Sequence, residues 1–199
     1  MIIYLTKKTI DRFGVQMPEE MEPPQKELGA AVLDREQGDG LFEWGGKIFY
    51  VRRKKCIQFV NFATRFTVYA VDVKKDEIYD MSNYIAWCVF DVYKDDDLMT
   101  AALKRMFTDN PISCFSRLTD KSVISALNYN QRAFMWDGER LGRYIEDGVL
   151  YLTDANYDAN YRWITSMRIN GKRDYHYSGE RFRDLVMRRY GGSYDPVEE

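Results

Sequence analysis

Three apolar, β-branched and aromatic runs follow one another in the middle of the chain and constrain its fold more than any other feature. They span residues 47–51, 56–62 and 66–73, and no break between them is longer than four residues. Runs of this kind, joined by short polar breaks, are typical of neighbouring antiparallel strands. The sequence therefore predicts a central three-stranded meander, with a middle strand that is apolar on both faces.

Shorter strands and amphipathic helices are predicted around this centre. Residues 2–5 and 112–118 have the composition of short strands. Capping residues and apolar spacing predict helices over 25–37, 82–94, 97–107, 119–136 and 178–190. The sum is an α+β protein, with a mainly antiparallel sheet of about five strands and helices packed against it.

The chain changes character near residue 148. Residues 162–190 hold eight Lys or Arg against three Asp or Glu, a local charge of +5, whereas the whole chain carries −2. We therefore predict a core domain over residues 1–147 and a Tyr- and Arg-rich extension over residues 148–199 that packs on it. The net charge of the whole chain is close to zero, which argues against nucleic-acid binding through a charged tail. It does not argue against a local basic patch.

A perfect tandem repeat, Asp-Ala-Asn-Tyr twice, occupies residues 154–161. On a helix, a spacing of four residues stacks the members of each pair on one face. The sequence therefore predicts that Tyr157 lies over Tyr161 and Asn156 over Asn160.

Histidine, cysteine and apolar content exclude several classes of protein. With His176 as its only histidine, the chain cannot supply two His ligands to a metal. The chain has three cysteines, Cys56, Cys88 and Cys114, and no two of them form a Cys-x-x-Cys pair. We therefore expect no metal site, no cofactor and no disulfide framework. The longest apolar run, residues 84–90, is far below the ~18 residues of a membrane span. The opening residues lack a signal-peptide pattern, and we predict a cytoplasmic protein with no membrane partner.

Two polar motifs, far apart in sequence, form the sharpest hypothesis about a site. One motif ends the second central hairpin, and the other lies where the fifth strand enters a helix. A helix N-terminus with an Arg fork and a Lys charge suits a phosphate or carboxylate. The alternative is that both motifs are ordinary turns and caps on opposite sides of the protein. The candidate ligand-binding residues are Asn61, Thr64, Arg65, Thr119, Lys121, Ser122 and Asn128.

Two basic segments are further candidates. Arg52, Arg53, Lys54 and Lys55 form a cationic turn that suits phosphate or nucleic acid, or that protects a sheet edge as a solvated turn. In the extension, cations alternate with aromatics, which is typical of single-stranded nucleic-acid recognition and also of an ordinary amphipathic helix and strand. These residues are Arg162, Arg168, Lys172, Arg173, Arg181, Arg183, Arg188 and Arg189, with Trp163, Tyr175, Tyr177, Phe182 and Tyr190.

Several short motifs occur in an order that resembles a prokaryotic family catalogued only as a domain of unknown function. They are the opening Met-Ile-Ile-Tyr-Leu-Thr-Lys-Lys, Phe42-Glu43-Trp44, Arg52-Arg53-Lys54, Val60 to Phe66, Thr119 to Val123, and Leu127-Asn128. The resemblance covers roughly residues 1–136, and the region after 148 looks like an addition to it. It implies a bacterial or archaeal intracellular protein without an assigned activity, and it transfers no catalytic residue.

Three functional classes remain open at this stage. The first is a non-enzymatic binding or regulatory module that contacts a protein or a nucleic acid. The second is an enzyme or small-molecule binder that acts on an anionic ligand through Lys, Arg, Asn and Thr. The third is a structural homo-oligomer assembled through the Tyr-rich extension. A cleft that joins Asn61, Arg65 and Lys121 would favour the second class.

Overall fold

The computed structural model describes residues 1–51, 53–136, 144–146 and 149–192. Within these ranges the chain is an α+β protein, as predicted, with one five-stranded sheet in the order β4-β3-β2-β1-β5. The strands of this sheet are β1 (Ile2–Leu5), β2 (Glu43–Val51), β3 (Lys54–Asn61), β4 (Thr67–Ala70) and β5 (Cys114–Arg117).

The sheet is mixed, which corrects the prediction of a mainly antiparallel one. Strand β2 pairs antiparallel with β3, and β3 pairs antiparallel with β4. Strand β1, however, lies parallel to both β2 and β5. Helical segments connect β1 to β2 and β4 to β5, and crossovers of this kind produce parallel neighbours.

Seven α-helices are present in the described residues. They are α1 (Lys7–Phe13), α2 (Gln25–Glu36), α3 (Met81–Val92), α4 (Asp97–Asp109), α5 (Lys121–Trp136), α6 (Leu152–Tyr161) and α7 (Ser178–Tyr190). Two 3₁₀ turns are also present: Pro18–Glu20 lies between α1 and α2, and Glu77–Asp80 lies between β4 and α3. None of the helices in the described ranges combines the length and the apolar character that crossing a bilayer requires.

Both faces of the sheet are covered. On one face, the rings of Trp44, Phe66, Tyr93 and Phe182 form a cluster in which the Phe66 and Phe182 centroids lie 4.9 Å apart. On the other face, α5 packs against the sheet, and a Cβ at Gly45 would lie 2.5 Å from a methyl carbon of Val123. This double cover explains why residues 56–61 of the middle strand are all buried.

The described part of the chain from residue 144 onward adds two small two-stranded sheets and two helices. Strands β6 (Ile145–Glu146) and β7 (Val149–Leu150) pair antiparallel, and β7 leads into α6. Strands β8 (Ile164–Ile169) and β9 (Lys172–Tyr177) form an antiparallel hairpin. Its turn is Asn170-Gly171, where both residues have a positive φ, as type I′ turns require.

The tandem repeat lies on α6 with the predicted stacking. The rings of Tyr157 and Tyr161 are 5.1 Å apart, and Asn160 Nδ2 donates to the carbonyl of Asn156 at 2.7 Å. Both asparagines are buried and face β4, the edge strand of the sheet. The backbone N–H of Thr67 donates to Asn160 Oδ1 at 2.7 Å, and that of Tyr69 donates to Asn156 Oδ1 at 2.9 Å. The repeat therefore occupies the free edge of the sheet.

Asp96, the residue before the first residue of α4, caps this helix. Its Oδ1 accepts from the Met99 N–H at 3.0 Å, and its Oδ2 accepts from Arg183 Nε at 2.8 Å. The Met99 hydrogen bond, with a contribution from Arg183, lowers the pKa of Asp96 below the usual 3.8.

We expect Asp96→Ala to reduce the free energy of unfolding by about 1 kcal/mol at neutral pH, the typical cost of losing an N-cap. Because the folded-state pKa is lowered, this stabilisation is complete above pH 3.8 and is lost as the pH falls through the folded value. Urea unfolding at a series of pH values measures it. Asp95→Ala, which removes an exposed neighbouring carboxylate, is the control and should change stability far less. An Asp96→Ala effect that persisted undiminished in acid would contradict the assignment.

Candidate functional site

The turn between β3 and β4 is built by two of the predicted ligand-binding residues. Asn61 and Thr64 are fully buried. Asn61 Oδ1 accepts from the N–H groups of Ala63 and Thr64 and from the Thr64 hydroxyl, at 3.0–3.2 Å. Asn61 Nδ2 donates to the carbonyl of Leu41 at 2.9 Å. Both side chains are therefore occupied in holding the turn, as Asn and Thr commonly are.

Arg65 is presented differently by the same turn. It has a φ of 66°, and its side chain is only 5% exposed. Nη1 donates to the carbonyl of Phe62 at 2.8 Å, and Nη2 donates to Ser122 Oγ at 2.8 Å. The two polar motifs, 57 residues apart, therefore lie side by side.

The guanidinium of Arg65 is buried and forms no salt bridge with any described residue. In the described part of the chain, no carboxylate oxygen lies within 4.0 Å of it. Burial lowers the pKa of Arg65; the more distant Asp120 raises it, and Arg181 lowers it further. A buried charge with no charged partner is costly, and an anionic ligand would offset that cost.

The second motif begins α5. Asp120 Oδ1 accepts from the Val123 N–H at 2.8 Å, so Asp120 is the cap, and Thr119 is an exposed residue before it. Lys121 and Ser122 are exposed in the first turn. Asn128 lies farther along the helix, where its Oδ1 accepts from Lys47 Nζ at 2.5 Å. Thr119 and Asn128 are therefore away from the cavities described next.

Two adjoining cavities lie between α5 and strand β8, and we call them together the basic cleft. The outer cavity, of about 520 Å³, is lined by Lys121 and Ser122 from α5 and by four consecutive residues of β8, Thr165–Arg168. Arg173 of β9 completes its cationic wall. In the described chain, β8 pairs on one side only, with β9.

The inner cavity, of about 290 Å³, lies deeper along the same groove. Arg65, Asn130, Arg162 and Trp163 line it. It shares Tyr129 and Thr165 with the outer cavity, so the two cavities are neighbours. Tyr129 is 64% exposed at their junction. Among the described residues, no Asp or Glu lines either cavity.

The charges of the cleft are mostly unpaired. Within the described ranges, Lys121, Arg168 and Arg173 form no salt bridge, whereas Arg162 pairs with Asp158 at 3.1 Å. Arg168 and Arg173 are directly opposite each other in the β8–β9 register. Like charges in that position destabilise a hairpin, and an anion bound between them would remove the repulsion.

The other arginines of the extension serve different contacts. Arg181 pairs with Asp174 at 3.2 Å, and Arg183 pairs with Asp96. Arg189 pairs with Asp39. The first pair joins α7 to the β8–β9 hairpin, and the other two attach α7 to the rest of the protein, so only part of the predicted basic surface belongs to the cleft.

The predicted basic turn lies far from the cleft. Arg52 is outside the described residues, and Arg53 is exposed with a φ of 70°. Lys54 pairs with Asp72 at 2.7 Å, and Lys55 Nζ lies 4.9 Å from the centroid of Phe13. These residues are at the opposite end of β3 from Asn61, a separation of roughly 23 Å at ~3.3 Å per residue.

The described residues offer few groups suited to nucleophilic catalysis or to metal binding. His176 is held at both ring nitrogens, by Asp174 Oδ2 at 3.1 Å and by the Thr64 carbonyl at 3.0 Å. The three cysteines are free and buried, and burial raises the pKa of Cys88 to about 12 and that of Cys114 to about 11. In the part of the chain that the structure describes, no group of His, Cys, Asp and Glu is arranged to hold a metal ion.

Sequence reasoning missed Tyr129, Asn130 and Thr165, which line the cleft, but it did name Trp163, which lines the inner cavity. One signal was available. Asn-Gly between alternating residues is a strong indicator of a two-residue hairpin, and it would have placed Arg168 opposite Arg173. No comparable signal brings the middle of α5 next to that hairpin.

Fold and cleft together define an α+β protein with a cation-lined surface groove. The chain belongs to the family described as Domain of unknown function (DUF6933), whose model matches residues 2–181. This match confirms the resemblance and extends it beyond residue 136, so the β8–β9 hairpin is part of the family domain rather than an addition to it. No curated protein and no solved structure matches the chain.

Proposed function

We propose that this protein is a non-enzymatic binding module that takes a single-stranded nucleic acid into the basic cleft. The observation that carries the proposal is Arg65, a buried guanidinium without a carboxylate partner in the described chain, which forms the floor of a groove walled by other cations. A cationic groove with an exposed aromatic ring is the usual arrangement for holding a phosphate backbone and stacking its bases.

The cleft is formed by both parts of the chain. Arg65 and α5 come from the proposed core, residues 1–147, and the β8–β9 hairpin comes from the proposed extension, residues 148–199. On this proposal, the extension completes the binding surface instead of acting alone. We place the protein in the cytoplasm because its three cysteines are free thiols, as is usual in a reducing compartment.

An anionic small molecule is the second candidate, favoured by the closed end of the groove at Arg65. It would need only the inner cavity. The outer cavity, where Lys121, Arg168 and Arg173 form no salt bridge with a described residue, would then have no role. An extended polyanion accounts for both cavities, and for this reason we favour it.

We expect the double variant Arg168→Ala/Arg173→Ala to bind a short fluorescein-labelled oligonucleotide about tenfold more weakly, because two charge-assisted phosphate contacts are lost. The slope of log K against log salt should decrease in magnitude by about 1.4, or about 0.7 for each phosphate contact with a single strand. Fluorescence anisotropy over a salt series measures both quantities.

The matched control is Lys104→Ala/Arg105→Ala, which removes the same charge from the exposed face of α4, away from the cleft. It should retain the wild-type affinity and salt slope to within the small effect of total charge. If both double variants weaken binding equally, the interaction is a diffuse electrostatic one, and the cleft is not the site. If a free nucleotide binds as tightly as the oligonucleotide, the small-molecule candidate is correct.

A further inference from the structure

The inner cavity contains a side-chain amide with a fixed orientation. Thr67 Oγ1 donates its proton to the carbonyl of Arg65 at 3.0 Å, so the same oxygen must accept its second hydrogen bond. Asn130 Nδ2 supplies that bond at 2.9 Å. The amide of Asn130 is therefore oriented with its nitrogen toward Thr67, and its Oδ1 receives no hydrogen bond from any described residue.

This free acceptor lies among groups that suit a planar ring. Tyr129 and Trp163 line the same cavity and offer aromatic surface. Thr165, 8% exposed, also lines the two cavities, and its hydroxyl makes no side-chain hydrogen bond within the described residues. A volume of about 290 Å³ is at the lower end of the range for ligand pockets and is of the size that a single ring system requires.

We infer that the inner cavity of the basic cleft binds one base of the nucleic acid and prefers a base with an exocyclic amino group. Asn130 Oδ1 accepts from that amino group, and Tyr129 stacks on the ring. A base with a carbonyl in the same position places two acceptors against each other, because the contact between Asn130 Nδ2 and Thr67 prevents the amide from turning over. The inference rests on the proposed function, since the phosphates lie in the outer cavity.

Cytosine and uracil provide the sharpest test, because their rings are the same size and differ only along one edge: cytosine has an amino group at C4 and an acceptor at N3, and uracil has a carbonyl at C4 and a donor at N3. We expect the wild-type protein to bind a short oligocytidylate about tenfold more tightly than an oligouridylate of equal length, the effect of one buried hydrogen bond gained or opposed. Inorganic polyphosphate is the third probe, since it has the charge without the bases.

Two variants locate the preference. Asn130→Ala should reduce the ratio of the two affinities to about one, and Tyr129→Ala should weaken both oligonucleotides about tenfold through the loss of stacking. Lys104→Ala/Arg105→Ala should leave the ratio unchanged. Thermal unfolding without ligand checks that Asn130→Ala folds. If this variant does not fold, the comparison of oligocytidylate with oligouridylate on the wild-type protein still tests the base site.

The outcomes separate the two proposals. Equal wild-type affinities for oligocytidylate and oligouridylate, with binding still sensitive to Arg168→Ala/Arg173→Ala, would overturn the base site and leave the proposed function intact. The base site would also be overturned if a cytosine preference survived in Asn130→Ala. Failure of oligocytidylate, oligouridylate and polyphosphate to bind the wild-type protein would overturn both.

Discussion

Asn160→Ala is expected to lower the free energy of unfolding by about 3 kcal/mol, a large share of the ~5–15 kcal/mol that stabilises a typical domain. Asn160 is fully buried and accepts from both the Thr67 N–H and the Ser178 hydroxyl. Its Nδ2 donates to the carbonyls of Thr67 and Asn156. Alanine would leave these groups without partners inside the protein, and each buried unpaired group costs ~1–3 kcal/mol.

Urea unfolding followed by far-ultraviolet circular dichroism measures this loss. Asn156→Ala should cost less, because its Oδ1 serves one backbone group, the N–H of Tyr69. Tyr157→Ala, in the same repeat but 44% exposed, is the control and should cost under ~1 kcal/mol. If Asn160→Ala and Tyr157→Ala were equally stable, the repeat would not be what holds the edge of the sheet.

Arg65→Met should weaken oligonucleotide binding at least tenfold while the fold persists. Methionine fills much of the same space, and exchanging a buried charge for an apolar side chain of similar size is often neutral for stability. We therefore expect the free energy of unfolding without ligand to change by less than about 1 kcal/mol. The variant loses the hydrogen bonds to Phe62 and Ser122, but it also avoids the cost of desolvating the guanidinium on folding. The buried floor of the cleft, however, would lose its charge.

Fluorescence anisotropy gives the affinity, and urea unfolding gives the stability. Arg189→Met is the matched control: it removes the same charge from α7, where Asp39 is the partner, and should leave binding unchanged. A variant Arg65→Met that unfolds would show that Arg65 serves only the turn. One that folds and binds normally would remove Arg65 from the site and, with it, the main support for the proposed function.

Local patterns in the chain predicted much of the secondary structure. The helical spacing of the repeat was sufficient to stack Tyr157 on Tyr161, because neighbours four residues apart lie on one face of any helix. The apolar run at residues 56–62 indicated a strand buried on both sides. The family resemblance, carried by short motifs in order, was confirmed over an even longer part of the chain.

The direction of β1 could not be read from its residues. A strand of four apolar residues has the same pattern whether its neighbours run with it or against it. The helical connections from β1 to β2 and from β4 to β5 decide that β1 lies parallel to β2 and β5. In the same way, the sequence suggested that Asn156 and Asn160 share a face, but only the position of β4 makes them hydrogen-bond partners of a sheet edge.

The candidate site, too, follows partly from the sequence and partly from the tertiary structure. The sequence alone marked Arg65, Lys121 and Ser122 as polar residues at the ends of elements, and it marked the extension as basic. Only the tertiary structure brought Arg65 within hydrogen-bonding distance of Ser122, placed Arg168 opposite Arg173, and placed both near Tyr129. The physical reason is that element type follows from interactions between near neighbours along the chain, whereas a cleft is a contact between distant segments, fixed by how their buried faces pack.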